Sequence, residues 1–186
     1  MTGARETTDE TGDVVDFLLD QHQQIRTLLT DVLERSGPER QRTFDEAREL
    51  LARHETGEEM VLRPLTRKAA DGGPVADARF AEENEAKEVL ARLERMDVDT
   101  AEFESTFRAF RHSVLEHAEA EERDEFPLLR RDHDAATLTK ARDRLQRAEK
   151  MAPTHPHPSA RTTTANYVAG PFAAMLDRAR DAFSRS

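Results

Sequence analysis

The chain has 186 residues, of which 38 are acidic, 28 are basic and none is cysteine, and its formal net charge is −10. This length suits one domain with a hydrophobic core, and the acidic balance disfavours nucleic acid and anionic membranes as partners. The lack of cysteine excludes disulfides, iron–sulfur clusters and thiolate ligands, so any metal ion must be held by histidine and carboxylate side chains.

No apolar run approaches the roughly 18 residues of a membrane span, and residues 1–12 lack the pattern of a signal peptide. We therefore expect a soluble cytoplasmic protein. Residues 1–12 are polar and without periodicity, which predicts a disordered N-terminal lead.

Four segments carry apolar residues at steps of three and four, the spacing of one face of an α-helix. The first begins at Asp13 and stops at residues 36–38. The second runs from Glu39 to Lys68 and the third from Val75 to Arg95. The fourth begins after an N-cap at Asp99 or Thr100. Pro64 and Pro127 should kink or break the second and fourth helices. The pattern predicts an all-α, up-down-up-down four-helix bundle within a domain of residues 13–151.

The C-terminal part is predicted to be an extension of the bundle. Thr137–Met151 is compatible with a further short helix, although its apolar content is thin. Residues 152–186 are predicted to form a proline-rich linker and a short amphipathic helix, which would dock on the bundle or on a second copy of the chain in a homodimer.

The most informative feature is a repeated pair of residues. His54 is followed four positions later by Glu58, and His117 by Glu121. This spacing places both side chains of a pair on one helical face, and both pairs replace apolar residues in an inward stripe. His22 interrupts the stripe of the first helix in the same way.

The third helix offers a carboxylate. At 100° per residue, Glu83 lies about 20° from the inward Leu90, whereas Asn84 lies about 120° away. Glu83 is the better inward candidate, with Asn84 or Glu82 as alternatives if the helix is rotated.

Three imidazoles and three carboxylates are thereby predicted to meet in the bundle interior. They are His22, His54, Glu58, Glu83, His117 and Glu121. Two ions could share this set if Glu58 and Glu121 bridge them, which suits iron, while manganese or zinc would accept the same ligands. The alternative is a buried His–Glu hydrogen-bond network without metal.

Two neighbouring features have simpler interpretations. The acidic cluster after His117 is predicted to be a solvated face that could also guide cations inward; it comprises Glu116, Glu119, Glu122, Asp124 and Glu125. Gly57 either leaves space beside Glu58 for a bound ligand or is merely tolerated in the helix.

With His22, His54-x-x-x-Glu58 and His117-x-x-x-Glu121, residues 13–130 resemble the hemerythrin-like family of HHE cation-binding domains. The resemblance implies a four-helix bundle around two non-haem iron ions and ligands such as dioxygen, peroxide or nitric oxide. The family usually places a histidine on the third helix, where this sequence has none. If Glu83 takes that position, its negative charge should favour ferric iron and disfavour simple reversible oxygen carriage.

Three classes of function remain open at this level. The first is a di-iron redox enzyme, for instance one that dismutates peroxide. The second is an oxygen- or iron-sensing module without turnover, in which the C-terminal helix transmits the state of the site. The third is a bundle with a degenerate metal site.

Overall fold

The computed structural model describes residues 12–152, and its regular elements there are all helical. The seven α-helices are α1 (Val14–Glu34), α2 (Gly37–Gly57), α3 (Arg63–Thr66), α4 (Gly72–Leu93), α5 (Ala101–Ala120), α6 (Phe126–Asp132) and α7 (Ala135–Met151). Two π-helical turns, Glu58–Leu62 and Glu121–Glu125, connect α2 to α3 and α5 to α6. The prediction of an all-α helical bundle is confirmed.

Some of the predictions concern residues outside this range. The predicted N-terminal lead, residues 1–12, lies outside the described range except for Gly12. The predicted linker and amphipathic helix, residues 152–186, lie outside it except for Ala152. Between residues 12 and 152, no helix is long and apolar enough to cross a membrane.

Two of the long helices, α1 and α5, begin at side-chain caps that the sequence encodes locally. The Asp13 carboxylate accepts hydrogen bonds from the N–H groups of Val15 and Asp16, and the Asp16 side chain accepts one from the Asp13 N–H. Thr100 caps α5 by accepting from the Phe103 N–H, as one of the two predicted caps. These caps set where α1 and α5 enter the bundle.

The break between α1 and α2 is shorter than predicted. Residues 36–38 are predicted to end the first helix, but Gly37 already begins the second with φ of 57°, a left-handed conformation that favours glycine. Its N–H donates to Oδ1 of Asp99 at 2.7 Å, which connects this turn to the loop before α5.

Two apolar clusters form the core. One surrounds Phe44, Phe103 and Phe107, and the other contains Leu18, Leu62, Phe126, Leu129 and Leu145. Along α1, the first cluster contains Ile25 and the second contains Leu18, with His22 between them in the chain. The candidate ligands therefore lie between two apolar clusters.

The expected interruptions at the prolines are the two π turns. The N–H of Arg63 donates to the carbonyl of Glu58, five residues earlier, and the N–H of Phe126 donates in the same way to Glu121. Each turn ends two residues before a proline, which has no N–H and whose ring crowds the carbonyl four residues earlier. The wider turn changes which of the following side chains face inward.

The further short helix that the sequence allowed at residues 137–151 is present as α7, which packs against α1 and α2. Gly57 lies at this contact, where an added Cβ would be 2.9 Å from Cγ of Leu145. Since Leu145 fills the space beside Gly57, the predicted space for a ligand at this glycine is not supported; the glycine allows α7 to approach α2.

Candidate metal centre

The structure brings all six predicted ligand residues into one buried cluster, in which none is more than 9% exposed. Their ligand atoms form two overlapping groups, each with all atoms within 4.8 Å of one another. We call His22, His54, Glu58 and Glu121 the His22 half, and Glu58, Glu83, His117 and Glu121 the Glu83 half. Glu58 and Glu121 belong to both halves, which is the arrangement expected of bridging carboxylates.

Two of the imidazoles are held by carboxylates on their outer side. Nδ1 of His22 lies 2.8 Å from Oε1 of Glu122, and Nδ1 of His117 lies 2.8 Å from Oε2 of Glu82. A carboxylate beside Nδ1 favours a proton on that nitrogen and leaves the lone pair of Nε2 free. Nε2 of each ring faces Glu121, at 3.3 Å from His22 and 3.2 Å from His117.

The third imidazole is oriented by an amide. Nδ1 of His54 lies 2.9 Å from Oε1 of Gln21, and Nε2 of the same Gln21 donates to Glu149 at 2.8 Å. Because an amide oxygen only accepts, His54 carries its proton on Nδ1 and directs an unprotonated Nε2 toward Glu58. This link also connects the centre to α7.

Several buried ligand atoms lack a hydrogen-bond partner within residues 12–152. They are Nε2 of His22, Nε2 of His117, Oε1 of Glu58, Oε2 of Glu83 and Oε2 of Glu121. Each such atom costs about 1–3 kcal/mol when left unsatisfied. In their unprotonated forms these atoms are Lewis bases within the two halves, so the residues fit a cation that accepts nitrogen and oxygen ligands.

The crowded carboxylates do not share one protonation behaviour. Burial raises the pKa of Glu83 to about 8, and burial together with the neighbouring Glu121 raises the pKa of Glu58 well above its usual range. Burial also favours the neutral form of Glu121, but His117 and Arg63 outweigh it and hold the pKa of Glu121 well below its usual range. Glu121 is therefore the fixed negative charge at the centre of the cluster.

The imidazoles differ in a matching way. Burial lowers the pKa of His54 well below its usual range, which keeps this ring neutral and available as a ligand. Burial acts in the same direction on His117, but the nearby charge of Glu121 and the close contacts of the ring with Glu121 and Glu82 raise the pKa of His117 well above its usual range. In the metal-free protein, His117 and Glu121 thus form an ion pair.

Arg63 is a residue of the centre that the sequence reasoning missed. Arg63 is 4% exposed, and its Nε donates to Oε1 of Glu83 at 2.8 Å. Its Nη2 lies 3.2 Å from Oε2 of Glu58 and also donates to Oε1 of Glu121, while Nη1 donates to Oε2 of Glu125 at 2.5 Å. On a regular α-helix Arg63 would point about 140° away from Glu58; the π turn brings it inward.

The prediction of a solvated acidic face is wrong for two of its members. Glu125 is fully buried and accepts hydrogen bonds from Arg63 and Thr66, because the second π turn changes its direction as well. Glu122 is half-buried and bound to His22. The one signal of this change in the sequence is the proline that follows each motif.

A cavity of about 660 Å³ lies between α4 and α5 and reaches the Glu83 half. Its lining includes Glu83 and His117 from the centre, together with Glu55, Phe110 and Val114. It provides space for water or a small molecule beside the two ligands that α4 and α5 contribute.

Three comparisons with known proteins agree with this architecture. Residues 13–129 match the sequence model described as the hemerythrin HHE cation binding domain. A hemerythrin-like protein of Schizosaccharomyces pombe is 31% identical over 134 residues, which cover 70% of this chain and 66% of that protein. The chain therefore spans slightly less than two thirds of the length of this curated relative.

A solved structure shows the same fold. The crystal structure of a hemerythrin HHE cation binding domain-containing protein from Mycobacterium kansasii superimposes with a TM-score of 0.67 at 21% identity, over 75% of this chain and 86% of that one. From the match over residues 13–129 and the shared architecture, this chain belongs to the hemerythrin HHE cation-binding domain family.

Proposed function

We propose that the protein is a non-haem iron-binding domain whose ligand set takes up to two iron ions, and that it binds or reacts with dioxygen, peroxide or a similarly small ligand. The observation that carries this proposal is the set of buried, unpartnered nitrogen and oxygen atoms in the two halves. Burying so many free acceptors is costly unless a cation completes the cluster.

The types of donor atom limit which metal ions the centre can bind. Three imidazoles and three carboxylates without any thiolate suit iron, manganese and zinc, and iron is the choice that the resemblance of the motifs supports. Bound iron would supply open coordination positions and a change of oxidation state. A cytoplasmic location and the lack of nucleic-acid or membrane partners stay predictions.

The chain's own residues have separable roles in this proposal. Gln21, Glu82 and Glu122 orient the three imidazoles, so that Nε2 of each ring faces the cluster. The shared carboxylates of Glu58 and Glu121 draw the two halves together. Both are fully buried, so the charge of a bound ion would be balanced away from water.

The cavity between α4 and α5 supports a small ligand. It reaches Glu83 and His117, whereas Phe44, Phe103 and Phe107 close the bundle beyond this region with an apolar cluster. The extra carboxylate of Glu83 should favour the ferric state over a simple reversible carrier of dioxygen. A redox reaction with peroxide is the activity most compatible with that charge.

The test is metal analysis of protein purified from iron-supplied cells, together with absorption spectra before and after addition of azide or peroxide. We expect between one and two iron ions per chain and a spectrum that azide changes. His54→Ala should lose most of the iron, and His112→Ala is its matched control because His112 is 73% exposed on α5. Iron content well below one per chain in the wild type, or unchanged content in His54→Ala, would contradict the proposal.

A further inference from the structure

The two halves of the centre are built from equivalent pieces that differ at one position. Residues 54–64 and 117–127 each contain a histidine, a glutamate four positions later, a π turn and a proline. The residue just before the proline is Arg63 in the first segment and Phe126 in the second. Equivalent backbone positions thus carry a cation in one half and an apolar ring in the other.

The partners on α1 and α4 differ in the matching way. Phe126 stacks on the His22 ring with centroids 5.6 Å apart, whereas Arg63 binds the Glu83 carboxylate through Nε and Nη2. In the His22 half a histidine stacks on a phenylalanine, whereas in the Glu83 half a carboxylate pairs with a guanidinium. The carboxylate at position 83 therefore has a partner within the protein.

The position of Nη2 is the central observation. This one nitrogen contacts Oε1 of Glu83 at 2.7 Å, Oε2 of Glu58 at 3.2 Å and Oε1 of Glu121. These residues are three of the four members of the Glu83 half. A positively charged nitrogen among three carboxylate oxygens occupies the kind of position that a metal ion would take.

The carboxylate oxygens nearest His22 and His54, Oε2 of Glu121 and Oε1 of Glu58, are free of this contact. Arg63 touches Oε2 of Glu58 and Oε1 of Glu121, and the other oxygen of each carboxylate has no hydrogen-bond partner among the described residues. Nε2 of His22 is unpartnered as well. The two halves therefore differ in what a metal ion must displace.

We propose that Arg63 is a resident cation of the Glu83 half, so that a first metal ion binds the His22 half and a second binds only when the guanidinium withdraws from its three carboxylates. This inference rests on the proposed function, since it describes how the same centre fills. It assigns Glu83 to pairing with Arg63 in the metal-free and singly loaded protein.

Glu125 gives Arg63 a partner to keep during this exchange. Nη1 donates to Glu125, which belongs to neither half and is itself held by Thr66. Nε and Nη2 can thus leave the ligands while one charged hydrogen bond remains. A second metal ion then supplies the positive charge that the guanidinium no longer provides to Glu58, Glu83 and Glu121.

Titration of the metal-free protein with Mn²⁺ tests the proposal, with calorimetry for affinities and electron paramagnetic resonance for the number of adjacent ions. The wild type should bind one ion tightly and a second at least about tenfold more weakly, a difference of about 1.4 kcal/mol. At one equivalent the spectrum should be that of isolated Mn²⁺. Arg63→Leu should bind two ions with similar affinities and give a spectrum of coupled ions.

Two further variants make the outcome decisive. Arg63→Gln removes the charge but keeps an amide donor for Glu125, and it should also strengthen binding of the second ion. This variant keeps the test available if Arg63→Leu folds poorly. Arg142→Leu is the matched control, because Arg142 is also buried but contacts Phe17 and the Gly12 carbonyl. It should titrate like the wild type.

Two equally tight ions in the wild type, or a second affinity unchanged in both Arg63 variants, would overturn the role of Arg63 and leave the metal-binding proposal intact. No binding by the wild type or by either variant would overturn the metal-binding proposal itself.

Discussion

Nδ1 of His22 lies 2.8 Å from Oε1 of Glu122, which also accepts from Nη2 of Arg26 at 2.8 Å. This carboxylate fixes the imidazole of His22 with Nε2 toward Glu121. A residue that was predicted to lie on a solvated face is thus an orienting partner of a candidate ligand. Such partners strengthen metal binding by fixing the tautomer and direction of the ring.

Glu122→Ala is therefore expected to weaken binding of the first metal ion by about 10- to 100-fold. The measurement is Mn²⁺ titration calorimetry on the folded protein. Glu119→Ala is the control, because Glu119 is exposed on α5 and should leave the affinity unchanged. Equal affinities in the two variants would contradict an orienting role for Glu122.

Gly57→Ala is expected to destabilise the bundle despite the higher helix propensity of alanine. The new Cβ would lie 2.9 Å from Cγ of the fully buried Leu145, and overpacking of this kind costs about 1–3 kcal/mol. Since alanine recovers about 1 kcal/mol of helix propensity, we expect a net loss of about 1 kcal/mol. Urea denaturation measures it.

Gly73→Ala is the matched control for this change. An added Cβ at Gly73 meets nothing within 4 Å, so its free energy of unfolding should stay within about 0.5 kcal/mol of the wild type. If the two alanine variants are equally stable, the close approach of α7 to Gly57 is not what requires the glycine.

The metal-free protein should lose stability as pH rises from about 4.5 to about 8. Burial raises the pKa of Glu83 to about 8 from an ordinary value of 4.5, so the folded state binds this proton more tightly than the unfolded state. The resulting stabilisation is complete below the ordinary pKa and is lost as pH rises through the folded one. The raised pKa of His117 acts in the same direction.

Urea denaturation in the presence of a chelator measures this dependence, and Glu83→Gln separates the contribution of Glu83. One proton accounts for at most about 1.4 kcal/mol per pH unit. The variant should have a flatter profile than the wild type over this range. Profiles of the same slope would show that Glu83 does not titrate there.

Val114→Phe should slow entry of azide into the iron-loaded protein. Val114 lines the cavity between α4 and α5 beside the Glu83 half, and a larger side chain would fill part of that space. The association rate of azide, followed by stopped-flow absorption, should fall several-fold while iron content stays unchanged. An unaltered rate would mean that small ligands reach the centre by another route.

The residues that sequence patterns placed at the centre are those on regular helical turns. Five of them fall on apolar stripes that follow a rotation of 100° per residue: His22, His54, His117, Glu58 and Glu121. The backbone keeps this helical rotation as far as each glutamate. Glu83 was favoured over Asn84 by the same rotation, and it is 1% exposed. Periodicity was sufficient because α1, α2, α4 and α5 are regular where these side chains lie.

Arg63 and Glu125 could not be placed by that reasoning. Both lie within or just after a π turn, where an N–H bonds five residues back and the 100° rotation no longer applies. Pro64 and Pro127 indicated that something would interrupt the helices, but a proline does not specify whether the result is a kink, a break or a wider turn. The guanidinium at the centre is a consequence of that turn.

We propose above all that the buried histidines and carboxylates of α1, α2, α4 and α5 bind metal. The most direct test is a crystal structure of the iron-loaded protein with anomalous diffraction measured at the iron absorption edge. We expect an anomalous peak bounded by His22, His54, Glu58 and Glu121, with any second peak at the Glu83 half weaker. A loaded crystal without a peak in this cluster, or with its iron elsewhere on the chain, would contradict it.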